Sequence, residues 1–307
     1  MDLRQLRYFV AVVEEQGFRK ASRALYVAQP AISHALRQLE EELGITLLNR
    51  TSRGVELTDA GREFLGHAYG MLHQAEEAKA AMRARASWRP GSLRIGAIAG
   101  ILGAGELTAP IFQEHRRAHP ELNTAFEELS FCDQVGPILT GGVDAAIVRG
   151  PLDHPELEVI PIATERRALL VGAHHELADE VEVDVQDVLD QHTLPLGAPG
   201  SWSGFWQLDD LRGRTNPHPD VAPTRTIRDM QRVVAEGQTV ITVPDAMSRL
   251  APSSLVCSVG LRGAAPSTIG IARRRGDKRR EVTSFIDEAA HTAERFMSVL
   301  PGGALPV

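Results

Sequence analysis

Between Phe18 and Leu39 the chain carries two short runs in which apolar residues recur every three to four positions, separated by Tyr26-Val27-Ala28. That period predicts two helices on a tight turn, an arrangement that can present one helix to the DNA major groove. In the second run Ile32, Leu36, Leu39 and Leu43 fall on one face, and Pro30, Ser33, His34 and Arg37 on the other. The first run is expected to bury Phe18, Ala21 and Leu25, with Ala24 small enough for close approach, and to turn Arg19, Lys20 and Arg23 outward. Asn49-Arg50-Thr51-Ser52-Arg53-Gly54-Val55 reads as a turn between two extended runs, a hairpin wing. From Thr58, a helix cap, a pattern rich in Ala, Glu, Arg and Met runs to about Ser87, with Leu65, Ala68, Leu72, Ala75 and Met82 along one seam and Lys79 breaking it. So narrow a stripe on so long a helix predicts pairing with a second copy, the alternative being a helix that packs within its own chain.

Trp88-Arg89-Pro90-Gly91-Ser92 has the composition of a hinge. Beyond it lie a strand at 93–98, a helix at 107–119 stopped by Pro120, a strand at 124–128, a helix at 135–140 and a strand at 145–148. That alternation predicts a mainly parallel α/β lobe. A second set occupies 168–171, 185–189, a Trp-rich helix near 203–211, a helix at 227–236 and a run at 240–243; a strand at 268–272 and a helix at 282–297 return to the first lobe. The expected fold is α/β, with an N-terminal α winged helix-turn-helix over 1–59, a long linker helix over 60–88 and a two-lobed domain over 89–307. Lobe 1 takes about 89–162 and 267–307, and lobe 2 about 163–266.

Gln29, Ser33, His34 and Arg37 are short or forked hydrogen-bonding groups that can reach base edges or phosphates, and Pro30 suits the opening turn of their helix. Arg19, Lys20, Arg23, Arg50 and Arg53 are placed to meet the phosphate backbone. Residues 1–90 hold 13 Lys/Arg and 11 Asp/Glu, which leaves 20 against 29 for the rest of a chain whose net charge is −7. The acidic remainder is unsuited to DNA and needs another role. No run approaches the roughly 18 apolar residues of a membrane span, and no signal segment opens the chain. Cys132 and Cys257 are too few for a disulfide framework or a typical structural zinc site. The expected location is the cytoplasm, away from membranes.

Residues 1–61 resemble the N-terminal domain of the LysR-type transcriptional regulators. The matching words are Leu3-Arg4-Gln5-Leu6-Arg7-Tyr8-Phe9, Gln29-Pro30-Ala31-Ile32-Ser33, Leu39-Glu40-Glu41-Glu42-Leu43-Gly44, Leu47-Leu48-Asn49-Arg50 and Leu57-Thr58-Asp59-Ala60-Gly61. One position departs: Ala28 stands where the family usually has Ser, and a missing cap oxygen costs about 0.5–2 kcal/mol. A looser likeness continues through Leu93-Arg94-Ile95-Gly96, Gly142-Val143-Asp144-Ala145-Ala146-Ile147 and Val233-Val234-Ala235-Glu236-Gly237 to Val243-Pro244. The resemblance implies a linker helix that pairs two subunits, a periplasmic-binding-protein-like effector domain, and a homotetramer.

In such a domain the ligand belongs between the lobes. Ala99, Gly100 and Ile101 join the first strand to its helix, where backbone amides can seat an anion; Gly100 takes the place at which the family often has a hydroxyl. Arg149 ends a strand at the lobe boundary, where it could grip a carboxylate or form a structural salt bridge. Gly200, Ser201 and Trp202 form a loop on the facing lobe, Thr226 caps a helix with Asp229 placed for a capping box, and Phe131 lies near the cleft beside Cys132. His174-His175-Glu176 lacks a partner at metal spacing, the basic run from Arg273 to Arg280 reads as a solvated face, and Cys132 as a buried thiol rather than a redox sensor.

These features lead to a sequence-specific regulator of transcription that binds double-stranded promoter DNA and is controlled by a small molecule, with an anionic one favoured. No nucleophile, base and orienting acid can be assembled, so neither catalysis, cofactor nor metal is expected. The rival reading is a two-lobed solute-binding protein or enzyme with no regulatory role, for which the N-terminal domain would have no use.

Overall fold

A computed structural model describes residues 1–15, 17–51, 54–87 and 92–306, in two units, Met1–Ala80 and Ala81–Val307. In the first unit α1 (Leu3–Glu14) starts on a capping box: the Asp2 carboxylate accepts from the Gln5 amide at 2.8 Å, and the Gln5 side chain accepts from the Asp2 amide at 2.8 Å. It is followed by α2 (Phe18–Ala24), α3 (Gln29–Leu43), the antiparallel hairpin β1 (Leu48–Thr51) and β2 (Gly54–Leu57), and α4 (Asp59–Ser87). The expected Ile32, Leu36 and Leu39 are buried with Ala21 against Leu6, Phe9 and Val10 of α1. Leu43 departs from that face and is 38% exposed, because α3 ends there on Gly44, whose φ of +68° reverses the chain. Ala24 is exposed as well; the close approach is made at Ala21.

Thr58 caps α4 as expected, its hydroxyl accepting from the Gly61 amide at 2.9 Å. A side chain at 61 is impossible without a shift, since a Cβ there would stand 2.1 Å from the Leu47 carbonyl oxygen. The predicted seam divides. Leu65, Ala68 and Leu72 pack into this unit's own core with Phe64, Tyr69 and Met71, whereas Met82 is 61% exposed. The first half of the helix is therefore an intramolecular packing helix, which the stripe alone did not distinguish from a pairing surface.

The second unit runs β3 (Ser92–Ile98), α5 (Thr108–Ala118), β4 (Asn123–Leu129), α6 (Gly136–Leu139), β5 (Ala145–Arg149), β6 (Leu157–Glu165), β7 (Arg167–Gly172), β8 (Glu182–Asp184), α7 (Gly200–Trp206), α8 (Asp209–Arg212), α9 (Ile227–Ala235), β9 (Ile241–Pro244), α10 (Met247–Leu250), β10 (Val256–Arg262), β11 (Ser267–Arg274), α11 (Arg280–Phe296) and β12 (Gly303–Ala304). One sheet has the order β12-β6-β11-β5-β3-β4 and the other β8-β10-β7-β9. The strands β3, β4 and β5 are parallel, as expected for the first part of lobe 1, and among the described strands the β8–β10 pair is parallel too, whereas the remaining pairs are antiparallel. Strands β6, β8, β10 and β12 were not foreseen. The 185–189 run is a short 3-10 turn over Val185–Val188, and the Trp-rich helix is split where Leu208 takes a φ of +64°. The chain passes between the sheets at Glu165–Arg167 and Arg262–Ser267, so lobe 1 extends to Glu165, beyond the expected 162.

Candidate nucleic-acid interface and ligand cleft

Helix α3 is positioned by its buried face, and what it leaves outside is polar. Gln29, Pro30, His34 and Arg37 are exposed, Ser33 is half-buried, and Arg19, Lys20 and Arg23 of α2 are exposed beside them. The N-cap Ala28 has extended backbone and makes no side-chain cap, as its sequence implied; only its carbonyl takes part, accepting from the Ala31 amide at 3.0 Å. The first acidic side chain along α3 is no obstacle to an anion, because Glu40 Oε1 accepts from the Leu47 and Leu48 amides at 2.7 and 3.0 Å and fixes the start of the wing. Tyr26 sits in the turn with φ +54° and is almost wholly exposed. The backbone of Arg50 lies in β1; its side chain, and Arg53 altogether, fall outside the described residues.

The cleft of the second unit is apolar. A cavity of only about 40 Å³ is lined from lobe 1 by Ile98, Ala99, Leu102, Phe131 and Arg149 and from lobe 2 by Leu196, Trp202, Trp206, Ile227, Met230, Thr242, Val243, Pro244 and Met247. Phe131 and Trp202 stack across it with ring centroids 5.9 Å apart. Trp202 Nε1 donates to the Arg149 carbonyl at 2.9 Å and Thr242 Oγ1 to the Trp206 carbonyl at 2.7 Å. Trp206 Nε1 is buried with no acceptor among the described residues.

Arg149 does not offer the two-pronged grip considered from sequence. Its Nη2 donates to Glu165 Oε2 at 2.5 Å, Nη1 to Ser267 Oγ at 3.1 Å and Nε to the Leu102 carbonyl at 2.9 Å. The guanidinium is a buried structural partner, and the main reason to favour an anionic ligand goes with it. The amide seat weakens too: Ala99 donates to the Leu129 carbonyl at 2.8 Å, and a Cβ at Gly100 would lie 3.1 Å from a Glu128 carboxylate oxygen, which puts negative charge where an anion was expected.

The helix-turn-helix fold and the two-lobed domain both have counterparts among known proteins. The bacterial regulatory helix-turn-helix protein, LysR family, matches residues 3–62, and the LysR substrate binding domain matches residues 89–294. The chain belongs to the LysR family. It is 36% identical over 254 residues to the HTH-type transcriptional regulator AlsR of Bacillus subtilis, spanning 81% of this chain and 82% of that protein. It is 36% identical over 196 residues to the HTH-type transcriptional regulator BenM of Acinetobacter baylyi, spanning 63% of this chain and 64% of that one. The crystal structure of full-length BenM superposes with a TM-score of 0.54 at 27% identity, covering 97% of this chain and 98% of the other. As a LysR-family member, the chain is an HTH-type transcriptional regulator with an effector-binding domain.

In this LysR-family chain the cleft brings together Ala99, Phe131, Arg149 and Trp202 of the expected effector residues. Gly100, Ile101, Gly200, Ser201 and Thr226 stand outside it. Gly200 and Ser201 are exposed, and Thr226 is occupied as the N-cap of α9, accepting from the Asp229 amide at 3.1 Å. Sequence reasoning missed Trp206, Met230 and Met247. Their only signal was apolar character at the ends of lobe-2 elements, which core residues share. Cys132 lies in the cluster behind the cavity, and burial pushes its thiol pKa up against a lowering hydrogen bond from Ser130. Among the described residues no helix is long and apolar enough to cross a membrane.

Proposed function

We propose that this LysR-family regulator reads its operator with Gln29, Pro30, Ser33, His34 and Arg37 of α3, supported on the backbone by Arg19, Lys20, Arg23 and the wing arginines Arg50 and Arg53. In this reading it works in the cytoplasm, pairs through the second half of α4, where Met82 is exposed, and assembles as a dimer of dimers on promoter DNA. Its effector is a small, flat, mainly apolar molecule carrying one hydrogen-bond acceptor, admitted when the lobes part beyond the present 40 Å³ cavity and held against Phe131, Trp202 and Trp206. The observation that carries the effector class is the buried Trp206 N–H without an acceptor, in a cavity whose other polar groups are already engaged. An unmet buried donor costs on the order of 1–3 kcal/mol, which a ligand acceptor would recover. Such a ligand would act by population shift, favouring one arrangement of the lobes.

A thermal-shift screen of neutral aromatic compounds and their carboxylates, repeated on Trp206→Phe, tests this. Neutral acceptor-bearing aromatics should raise the melting temperature of the wild type and lose most of that effect on Trp206→Phe. Stabilisation by carboxylates alone, unchanged in the variant, would overturn the assignment. A gel-shift assay against DNA flanking the protein's own gene tests the reading head separately.

A further inference from the structure

Apart from the cleft, the most concentrated chemistry lies on the first lobe, where α5 meets α11. His115 and His119 stand one turn apart, with rings 5.2 Å between centroids, and both turn one nitrogen to the same carboxylate. His115 Nδ1 is 2.7 Å from Glu288 Oε2 and His119 Nε2 is 2.5 Å from Glu288 Oε1. The donor atoms of the three residues all lie within 4.8 Å of one another. Ligand atoms around a tetrahedral zinc ion, with bonds of about 2.1 Å, are roughly 3.4 Å apart, so a small movement of the Glu288 side chain admits an ion.

The second nitrogens strengthen the case. His115 Nε2 is 3.2 Å from Thr124 Oγ1 and His119 Nδ1 is 3.2 Å from Glu121 Oε1. A ring whose outer nitrogen is fixed by a hydroxyl or carboxylate has its tautomer and orientation set, as metal-binding histidines require. His115 is fully buried beneath Phe285, while His119 and Glu288 are partly exposed, so an ion would enter from the solvent edge and find a fourth position there for water. We infer that His115, His119 and Glu288 form a binding site for a divalent transition-metal ion of the Zn²⁺ class, clamping α5 to α11. Two imidazoles and one carboxylate suit Zn²⁺, Co²⁺ or Ni²⁺ and disfavour Mg²⁺ and Ca²⁺, which prefer all-oxygen sites. The sequence expectation of no metal weighed the two cysteines and His174-His175-Glu176; the spacing His115-x-x-x-His119 was readable, but its carboxylate comes 169 residues later.

The test uses the metal-free full-length protein titrated with Co²⁺ and with Zn²⁺. One ion per chain is expected, with the intense visible bands of tetrahedral Co²⁺ and a rise in melting temperature on Zn²⁺ binding. His119→Ala and Glu288→Gln, checked for folding by circular dichroism, should abolish the Co²⁺ bands. Glu121→Gln, at the exposed rim, should fold normally and weaken binding about tenfold or more. No saturable binding by the wild type, or binding that keeps its spectrum and affinity in both folded ligand variants, would overturn the assignment; if neither ligand variant folds, unchanged affinity in Glu121→Gln would do so.

Discussion

Arg149 Nη2 lies 2.5 Å from Glu165 Oε2, with the two side chains only 3% and 0% exposed. The other oxygen of Glu165 accepts from the Ala246 amide of lobe 2 at 2.5 Å, so one carboxylate is held from both lobes. Removing one partner of a buried pair strands the other charge, at a cost of about 3–5 kcal/mol. Arg149→Met and Glu165→Gln are each expected to lower the urea midpoint strongly, and the double variant to be less destabilised than the two losses combined. An unchanged midpoint in Arg149→Met would show that the pair contributes no net stability.

On the reading head, Arg37→Ala should reduce operator affinity by about 1–3 kcal/mol at fixed salt and leave the melting temperature unaltered, because its side chain is exposed. Ser33→Ala should act in the same direction. Fluorescence anisotropy with operator and scrambled duplexes distinguishes lost base contacts from lost phosphate contacts: a base contact shows as a narrowed gap between the two sequences.

Gly61→Ala addresses the joint between wing and linker helix. With a Cβ only 2.1 Å from the Leu47 carbonyl oxygen, backbone has to move. Overpacking of this kind costs about 1–3 kcal/mol. The variant should unfold its N-terminal unit at lower temperature and bind operator less well, whereas Gly66→Ala, with open space around it, should do neither.

The two cysteines should separate by reactivity. Burial raises the Cys132 thiol pKa, so its thiolate is scarce at neutral pH, while Cys257 is only half-buried. Native iodoacetamide labelling followed by peptide mass spectrometry should modify Cys132 slowly, with a rate that climbs steeply at alkaline pH. Rapid labelling near pH 7 would contradict this and reopen a redox role for Cys132.

The N-terminal unit was legible because its signals are local. Helical period, turn residues and the wing fall within about sixty positions, and Gly44 and Gly61 of the family words have direct steric reasons. The cleft was less legible because its chemistry is decided by partners far apart in sequence. Arg149 became structural through Glu165 and Ser267, and Thr226 through its own helix. The unforeseen β6 and β10 are long-range antiparallel partners of β11 and β7, each interrupted by residues such as Pro161 or Gly260 that blur a strand's alternation. Likewise, nothing in the apolar stripe of α4 says whether the surface covering it comes from the same chain or another.

The two passages of the chain between the sheets, at Glu165–Arg167 and Arg262–Ser267, lie side by side, because Ser267 is paired with Glu165. A body hung on two neighbouring pins can swing but cannot slide. On the proposed reading, an occupant of the cleft would be reported as a change of angle about these two passages, which the Arg149–Glu165–Ala246 contacts adjoin. Substitutions at Arg166 or Ala265, which lie outside the cleft lining, are then expected to alter the response to an effector without altering the surface that holds it.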